Sequence, residues 1–469
     1  MPQGEIIMQY TGHVISSTHW DREWYRTVEE YRFRLVKCLD RVIHCLKHDP
    51  EWRSFHCDGQ TRMLFDYLEV KPEQLETIQE LVKSGKLLIG PWSVQPDEQM
   101  ICGEAAIRNL LLGHQEAESL GAVLKHGYLA DNFGHVSQMP QILQGFGIDS
   151  TAFWRGYDEN HVSAVENIWR GADGSELLAV LLTRSYTNAV GYGPGTSENH
   201  KLNQHLPKLI ELSLTGQIVL CDSTDHCLPT TNLTADLQEM RDKLGLHEIK
   251  HSSWPEVIKT VKNTGTELPE LTGELLYAPG LDGTYSNRVN QKQQNMRCES
   301  LLTAYAEPLA AMAESEYPAG FLKRAWTMMV NNAAHDSIGG AHTDKVARDV
   351  VQRYARAAEI AEGVTAQSVD DIAGTASGEH AVDLNSTIAV YNPTPRRFSG
   401  VVEFSVDIPD HGRESLFDAV FKDVKLLDGD SLVPIHVLSN QAAFRPHYAD
   451  RPQSGHPTGS QTAMPGSCQ

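Results

Sequence analysis

The sequence is short of positive charge, of long apolar runs and of paired cysteines, and each shortage removes a class of protein. With 40 Lys and Arg against 61 Asp and Glu, the formal net charge is −21 at pH 7, so the basic face of a nucleic-acid binder is not expected. No apolar stretch is long enough to cross a bilayer, and no membrane partner is expected. Residues 1–13 mix Gln3, Glu5, Gln9 and Tyr10 with apolar side chains, which is not the basic-then-apolar pattern of a secretory leader. The eight cysteines are scattered and none forms a Cys-x-x-Cys pair, so neither a zinc ribbon nor a redox motif is indicated and a reduced, cytoplasmic setting is expected. Aromatic residues are 7% and hydrophobic residues 41% of the 469 positions, the composition of a globular chain with room for about three domains. No internal repeat is evident.

What is present is alternation. Short apolar runs at Val14–Ser16, Ser54–Cys57, Leu87–Gly90, Tyr128–Ala130, Thr151–Trp154, Leu177–Leu182 and Ile218–Leu220 are separated by amphipathic stretches, the pattern of βα units around a parallel sheet. Between the first two, Phe33, Val36, Leu39, Val42, Ile43 and Leu46 recur at helical spacing. Polar side chains follow the runs: His19 and Asp21, Asp58, Trp92 and Asp97, Asp131, Arg155, then Asp222 and Asp225. Strand ends carry the chemistry in (β/α) barrels. Beyond about Thr272, Glu299–Met312, Leu322–Asn332 and Asp344–Glu362 read as helices, the last with a stripe of Val346, Val350, Tyr354, Ala357 and Ala361. Gly374–Asn385 reads as a linker. Alternation from Val402 to Ile408 and a turn at Asp428-Gly429 before Leu432–Val437 open a β domain. The segment from about Asn440 lacks periodicity and is expected to be disordered.

Each candidate motif has an ordinary reading beside a functional one. His19 and Asp21 leave the same side of an extended segment and suit one metal, but the pair also fits a helix N-cap. Asp131, at a strand's carboxyl end before a Gly turn, is a functional carboxylate or a helix cap, and His335 ends a helix, where an imidazolium meets the macrodipole. Asp222 and Asp225 follow an apolar strand and alone would form a turn.

In this order, His19-Trp-Asp-Arg-Glu-Trp24, Asp58-Gly-Gln60, Asp131-Asn-Phe-Gly-His135, Phe153-Trp-Arg155, Ser223-Thr-Asp-His226 and Ala334-His-Asp-Ser-Ile-Gly339 resemble the motifs of glycoside hydrolase family 38, the retaining α-mannosidases, of the bacterial, mannosylglycerate-hydrolase-like type. The resemblance implies an α/β fold: a (β/α)7-type barrel over residues 1–271, a three-helix bundle over 272–373 that completes the active site, the start of a β-sandwich over 386–438 and a tail over 439–469. It implies one zinc per chain, held by His19, Asp21, Asp131 and His335. Asp131 doubles as nucleophile and Asp225 is the acid/base, with Asp222 a less favoured competitor. Asp225 would need to be protonated before the leaving oxygen departs, as a partly apolar cleft favours, and retention places the two carboxyls about 5 to 5.5 Å apart. Trp24, Arg155, Tyr186 and Asp336 are the expected substrate contacts.

The resemblance thus implies a zinc-dependent retaining exo-α-mannosidase acting on α-mannoside oligosaccharides or a small mannoside. Mannosylglycerate-type hydrolysis and an inactive fragment that still binds zinc or mannosides are the alternatives. A metal-dependent carbohydrate deacetylase would leave the Asp225 motif unexplained. Family members usually continue through several hundred further residues of β-sandwich, so the chain is expected to be C-terminally truncated, with unpaired strand edges and a tendency to aggregate. A homo-oligomer is compatible with the sequence.

Overall fold

The computed structural model describes residues 9–374, 389–403, 426–428 and 431–435. Its first part runs β1 (Thr11–Ser16), α1 (Val28–His48), β2 (Phe55–His56), α2 (Arg62–Leu68), α3 (Leu75–Lys83), β3 (Leu87–Leu88), α4 (Gly103–Leu120), β4 (Gly127–Leu129), α5 (Met139–Gly145), β5 (Ser150–Phe153), β6 (Glu166–Arg170), β7 (Glu176–Leu181), α6 (Leu202–Leu212), β8 (Gln217–Asp222), α7 (Leu233–Lys243), β9 (Glu248–His251), α8 (Trp254–Asn263) and β10 (Glu270–Thr272). Every strand expected in this part is present with its ends within three residues of those expected. β6, β9 and β10 were not anticipated, being short runs that carry charged residues such as Glu166, Lys250 and Glu270.

The fold is α/β. One sheet has the order β8-β1-β9, all parallel, another the order β10-β6-β7-β5-β4, and β2 pairs with β3. The five-stranded sheet is mixed because β6 and β7 form an antiparallel pair with Trp169 opposite Leu177. A bridge from Ser17 to His56 joins the end of β1 to β2. Side chains from both larger sheets share one apolar cluster: Ile15 and Cys221 meet Tyr128, Ala152, Val180 and Tyr186. The opposite face of β1 and β8 packs Val14, Ile218 and Leu220 against helices α1, α6 and α7.

Helix α1 corrects one detail of the expected stripe. Leu39, Val42, Ile43 and Leu46 are buried with Tyr31, Leu35 and Cys38, whereas Phe33 is 79% exposed. At 100° per residue, Phe33 lies two positions, and so more than half a turn, from Leu35. The start of α1 is held by Glu30, whose carboxylate accepts the Thr27 N–H at 3.0 Å.

The later elements are α9 (Val289–Ser300), a π-helical stretch Leu301–Ala306, α10 (Glu307–Met312), α11 (Ala319–Asn332), α12 (His335–Gly339) and α13 (Asp344–Ala373). The expected Glu299–Met312 helix therefore begins ten residues earlier, and the last helix runs on to Ala373 with Val346, Val350, Tyr354, Ala357 and Ala361 all buried. Leu426–Asp428 (β11) pairs antiparallel with Ser431–Val433 (β12), Asp428 opposite Ser431, as the Asp428-Gly429 turn implies. Val402 and Glu403 carry no regular structure. Residues 404–408, the linker from 375 to 385 and the tail over 439–469 lie outside the described residues.

By compactness the chain divides into Met1–Thr303 with Ala319–Ala361, and Ala304–Pro318 with Glu362–Gln469. Every expected site residue falls in the first unit. Among the described residues, no helix is long and apolar enough to cross a membrane and the seven cysteines are free.

Candidate active site

The loop after β1 runs beside the loop after β8. His19 N–H donates to the Thr224 carbonyl at 3.1 Å and His226 N–H to the His19 carbonyl at 2.8 Å, so the extended His19-Trp-Asp21 segment is held as a strand-like edge. Its two functional side chains consequently point together, with His19 Nε2 2.9 Å from Asp21 Oδ1. The second histidine arrives from α12: His335 N–H donates to the Gln95 carbonyl at 3.1 Å, and His335 Nε2 lies 3.2 Å from Asp21 Oδ1. Asp131, two residues beyond β4, sets Oδ2 3.8 Å from Nε2 of both histidines. Four residues spread over more than 300 positions thus converge.

These groups sit out of water. His19 and His335 are 0% and 3% exposed. Burial opposes the imidazolium of His19, but Asp21 and Asp58 outweigh it and hold His19 well above the ordinary histidine value. For His335, burial is likewise overcome, chiefly by Asp21, and the value rises to about 9. Burial raises Asp21, yet His19 and His335 hold its carboxyl well below the usual range. Burial and the neighbouring Asp21 charge hold Asp336 well above it.

A metal fits this cluster. His19 Nε2, Asp21 Oδ1 and His335 Nε2 are buried, and one ligand atom from each residue lies within 4.8 Å of the others. None of the three atoms has a hydrogen-bond partner of acceptable geometry, an expensive arrangement for buried polar atoms unless a cation unites them. Two imidazole nitrogens and a carboxylate suit a zinc-like ion.

A second layer of side chains surrounds this cluster. Asp58 Oδ2 stands 3.1 Å from His19 Nδ1 while accepting the Trp20 N–H at 2.9 Å and Gln60 Nε2 at 2.8 Å. Gln95 Nε2 donates to the Asp58 carbonyl at 2.7 Å, and the Gln95 carbonyl holds His335. Asp58 and Gly59 adopt φ of 52° and 69°. A Cβ on Gly59 would approach the Tyr128 carbonyl oxygen to 2.9 Å, so a glycine is needed there.

The remaining expected residues are found as follows. Arg155 Nε donates to Asp131 Oδ1 at 2.8 Å and its Nη2 contacts the same oxygen, with the guanidinium 4.2 Å over the Trp154 ring. Tyr186 is buried and its hydroxyl donates to Asp225 Oδ1 at 2.8 Å, its ring 4.9 Å from that of His19. Asp225, three residues beyond β8, is itself exposed, in contrast to the partly apolar cleft expected for it. Asp222 faces away from this centre, into a cavity of about 190 Å³ lined by Gly191, Tyr192, Asp236 and Leu237. Trp24 is half-buried on the Asp21 loop with its ring 4.0 Å from Tyr25. Sequence reasoning missed Gln95, Glu23 and Arg353. Glu23 lies inside a quoted motif, but nothing in the helical pattern around Arg353 marks it.

Carboxylates, histidines and an arginine gathered at the carboxyl ends of parallel strands are the equipment of an α/β glycoside hydrolase. Residues 9–313 match the glycosyl hydrolases family 38 N-terminal domain and residues 281–372 the alpha mannosidase middle domain; the chain belongs to glycosyl hydrolases family 38. It is 32% identical over 395 residues to a "Putative mannosylglycerate hydrolase" of Halalkalibacterium halodurans, covering 80% of this chain and 44% of that protein. It is 25% identical over 358 residues to the human "Alpha-mannosidase 2C1", covering 74% of this chain and 33% of the relative. The crystal structure of an alpha-mannosidase from Enterococcus faecalis superposes with a TM-score of 0.74 at 30% identity, over 78% of this chain and 43% of that one. The chain therefore spans less than half the length of these relatives.

Proposed function

We propose that this chain carries the catalytic part of a zinc-dependent, retaining exo-α-mannosidase that removes terminal α-linked mannose. The observation that carries the reading is the convergence of His19, Asp21, Asp131 and His335 on one buried point, in a member of family 38. We read the sheets as arcs of one (β/α)7-type barrel, supported by their shared apolar cluster, followed by a three-helix bundle from about residue 272. The free cysteines agree with a cytoplasmic setting.

His19, Asp21, Asp131 and His335 would hold one zinc, which when bound supplies Lewis-acid grip on sugar hydroxyls. Asp131 attacks the anomeric carbon, a bond forming from its carboxylate as the bond to the leaving oxygen breaks. Arg155 on Oδ1 aims that carboxylate and favours its ionised form against the burial that raises it. Asp225 gives its proton to the leaving oxygen, then takes one from the water that releases the sugar from Asp131, so the configuration is retained. Tyr186 fixes the Asp225 carboxyl through Oδ1. Exposed in the free chain, Asp225 would be desolvated by the bound aglycone. Asp336 is assigned to a sugar hydroxyl and Trp24 to a sugar face.

Turnover of an aryl α-mannoside should release the α-anomer first, followed by NMR, and should vanish on chelation or in Asp131→Ala. A β-anomer, or turnover that survives both treatments, overturns the reading. The 32% identity to a "Putative mannosylglycerate hydrolase" favours a second reading, a small acidic aglycone; kcat/KM for mannosylglycerate above that for aryl mannoside would select it. Stoichiometric zinc without turnover of either substrate would identify an inactive binding fragment.

A further inference from the structure

Glu23 lies two residues beyond the ligand Asp21, and Ser337 two residues beyond the ligand His335. The two meet. Ser337 Oγ donates to Glu23 Oε1 at 2.6 Å, and Arg353 Nη2 of α13 contacts the same oxygen. Glu23 is 2% and Ser337 0% exposed. Arg353 is itself held, its Nε donating to Asn332 Oδ1 at the end of α11, while Asn332 Nδ2 donates to the Val350 carbonyl at 3.0 Å. A carboxylate with a side chain 1% exposed is costly to bury unless it is paired and hydrogen-bonded. Here Oε1 takes both a hydroxyl and a guanidinium while Oε2 has no hydrogen-bond partner, so the carboxylate is paired through one oxygen and cross-links chain segments more than 300 residues apart.

We propose that Glu23, with Ser337 and Arg353, is a positioning clamp that sets the spacing between the two halves of the ligand set, the Asp21 loop and the His335 helix. The inference rests on the metal-centre reading above. His19 is oriented by Asp58 and Gln60 within its own side of the site. The backbone bond to Gln95 places His335 along the 95–97 loop, and the Glu23 bridge is the side-chain tie between the two ligand-bearing segments themselves. Without it, the 3.2 Å between Asp21 Oδ1 and His335 Nε2 is held less firmly, although the backbone bond from Thr343 N–H to the Trp24 carbonyl at 3.2 Å stays in place. The clamp acts on ligand geometry and touches no substrate, so its loss should be felt in metal affinity before the chemical step.

The test is zinc titration of the metal-free full-length chain in competition with a chromogenic chelator, followed by aryl mannoside kinetics at saturating zinc. Ser337→Ala removes one bond and leaves the Glu23–Arg353 pair intact, and Glu23→Gln/Arg353→Met removes both charges together so that neither is stranded. Each should weaken zinc binding by about 10- to 100-fold, with KM close to wild type and kcat recovered by added zinc. Wild-type zinc affinity in both variants overturns the clamp, as does a loss of kcat that excess zinc leaves uncorrected. If the wild-type chain itself binds no zinc, the metal-centre reading is what fails.

Discussion

At the scale of single residues, the site turns on how a few buried side chains are held. His19 turns Nε2 to the proposed metal position with Nδ1 facing Asp58 Oδ2 at 3.1 Å, and Asp58 is itself fixed by its bonds to Trp20 N–H and Gln60. Asp58→Asn should therefore lower zinc affinity by about 10- to 100-fold, read by chelator competition; an unchanged affinity would confine Asp58 to shaping its loop. Asp222, the competing acid/base candidate, is predicted to matter for stability and not for turnover. Burial raises its carboxyl to about 6, against the Gly191 N–H that lowers it. A group whose folded value exceeds its unfolded value near 3.8 binds its proton more tightly when folded, so its stabilising contribution is present at low pH and is lost as pH rises through about 6. Asp222→Asn keeps an acceptor for Gly191 and should gain on the order of 1–2 kcal/mol over wild type at pH 7, with no gain near pH 3.5, in urea unfolding at the two pH values. Turnover should be unaffected, and its loss would return Asp222 to candidacy.

At the scale of elements, α4 supports the proposed metal site through the segment that precedes Gln95. Asn109 of α4 accepts from Ser93 and Val94 N–H and donates to the Val94 carbonyl, fixing the segment that leads to Gln95. One turn later, Gly113 packs so closely that a Cβ would lie 2.2 Å from the Pro91 carbonyl oxygen. Gly113→Ala gains up to about 1 kcal/mol of helix propensity, while the clash with backbone costs about 1–3 kcal/mol. The clash should win, lowering the urea midpoint and weakening zinc binding through Gln95; a raised midpoint would show that the 91–93 segment yields. The elements also show what periodicity conveys. Val346 to Ala361 repeats over four turns and is buried as written, because a long stripe averages out local exceptions. Phe33 misled because in α1 a single aromatic at a plausible spacing weighs as much as a true core position. β6 and β10 escaped notice because three to five residues with charged ends carry too little alternation to register.

At the scale of the whole molecule, a metal joining residues 19, 21, 131 and 335 would close a very long loop, and a ligand that binds the folded state alone stabilises it. Zinc at about 100 times its Kd should add about 2.7 kcal/mol, seen as a rise in thermal midpoint that chelation reverses and His335→Ala abolishes. A midpoint indifferent to zinc would disconnect the cluster from folding. Local order in the chain, read by itself, determined the α/β class, the approximate places of seven strands and a set of motifs at strand ends, since hydrophobic period and residue type are properties of neighbours a few positions apart. Only the tertiary structure decided that Asp222 lines the cavity beside Gly191 while Asp225 stands by Tyr186, that Asp58 and Gln95 support the histidines, and that Glu23 meets Ser337 and Arg353. Those facts depend on which segments, separated by tens to hundreds of residues, are brought into contact, and no local period records it.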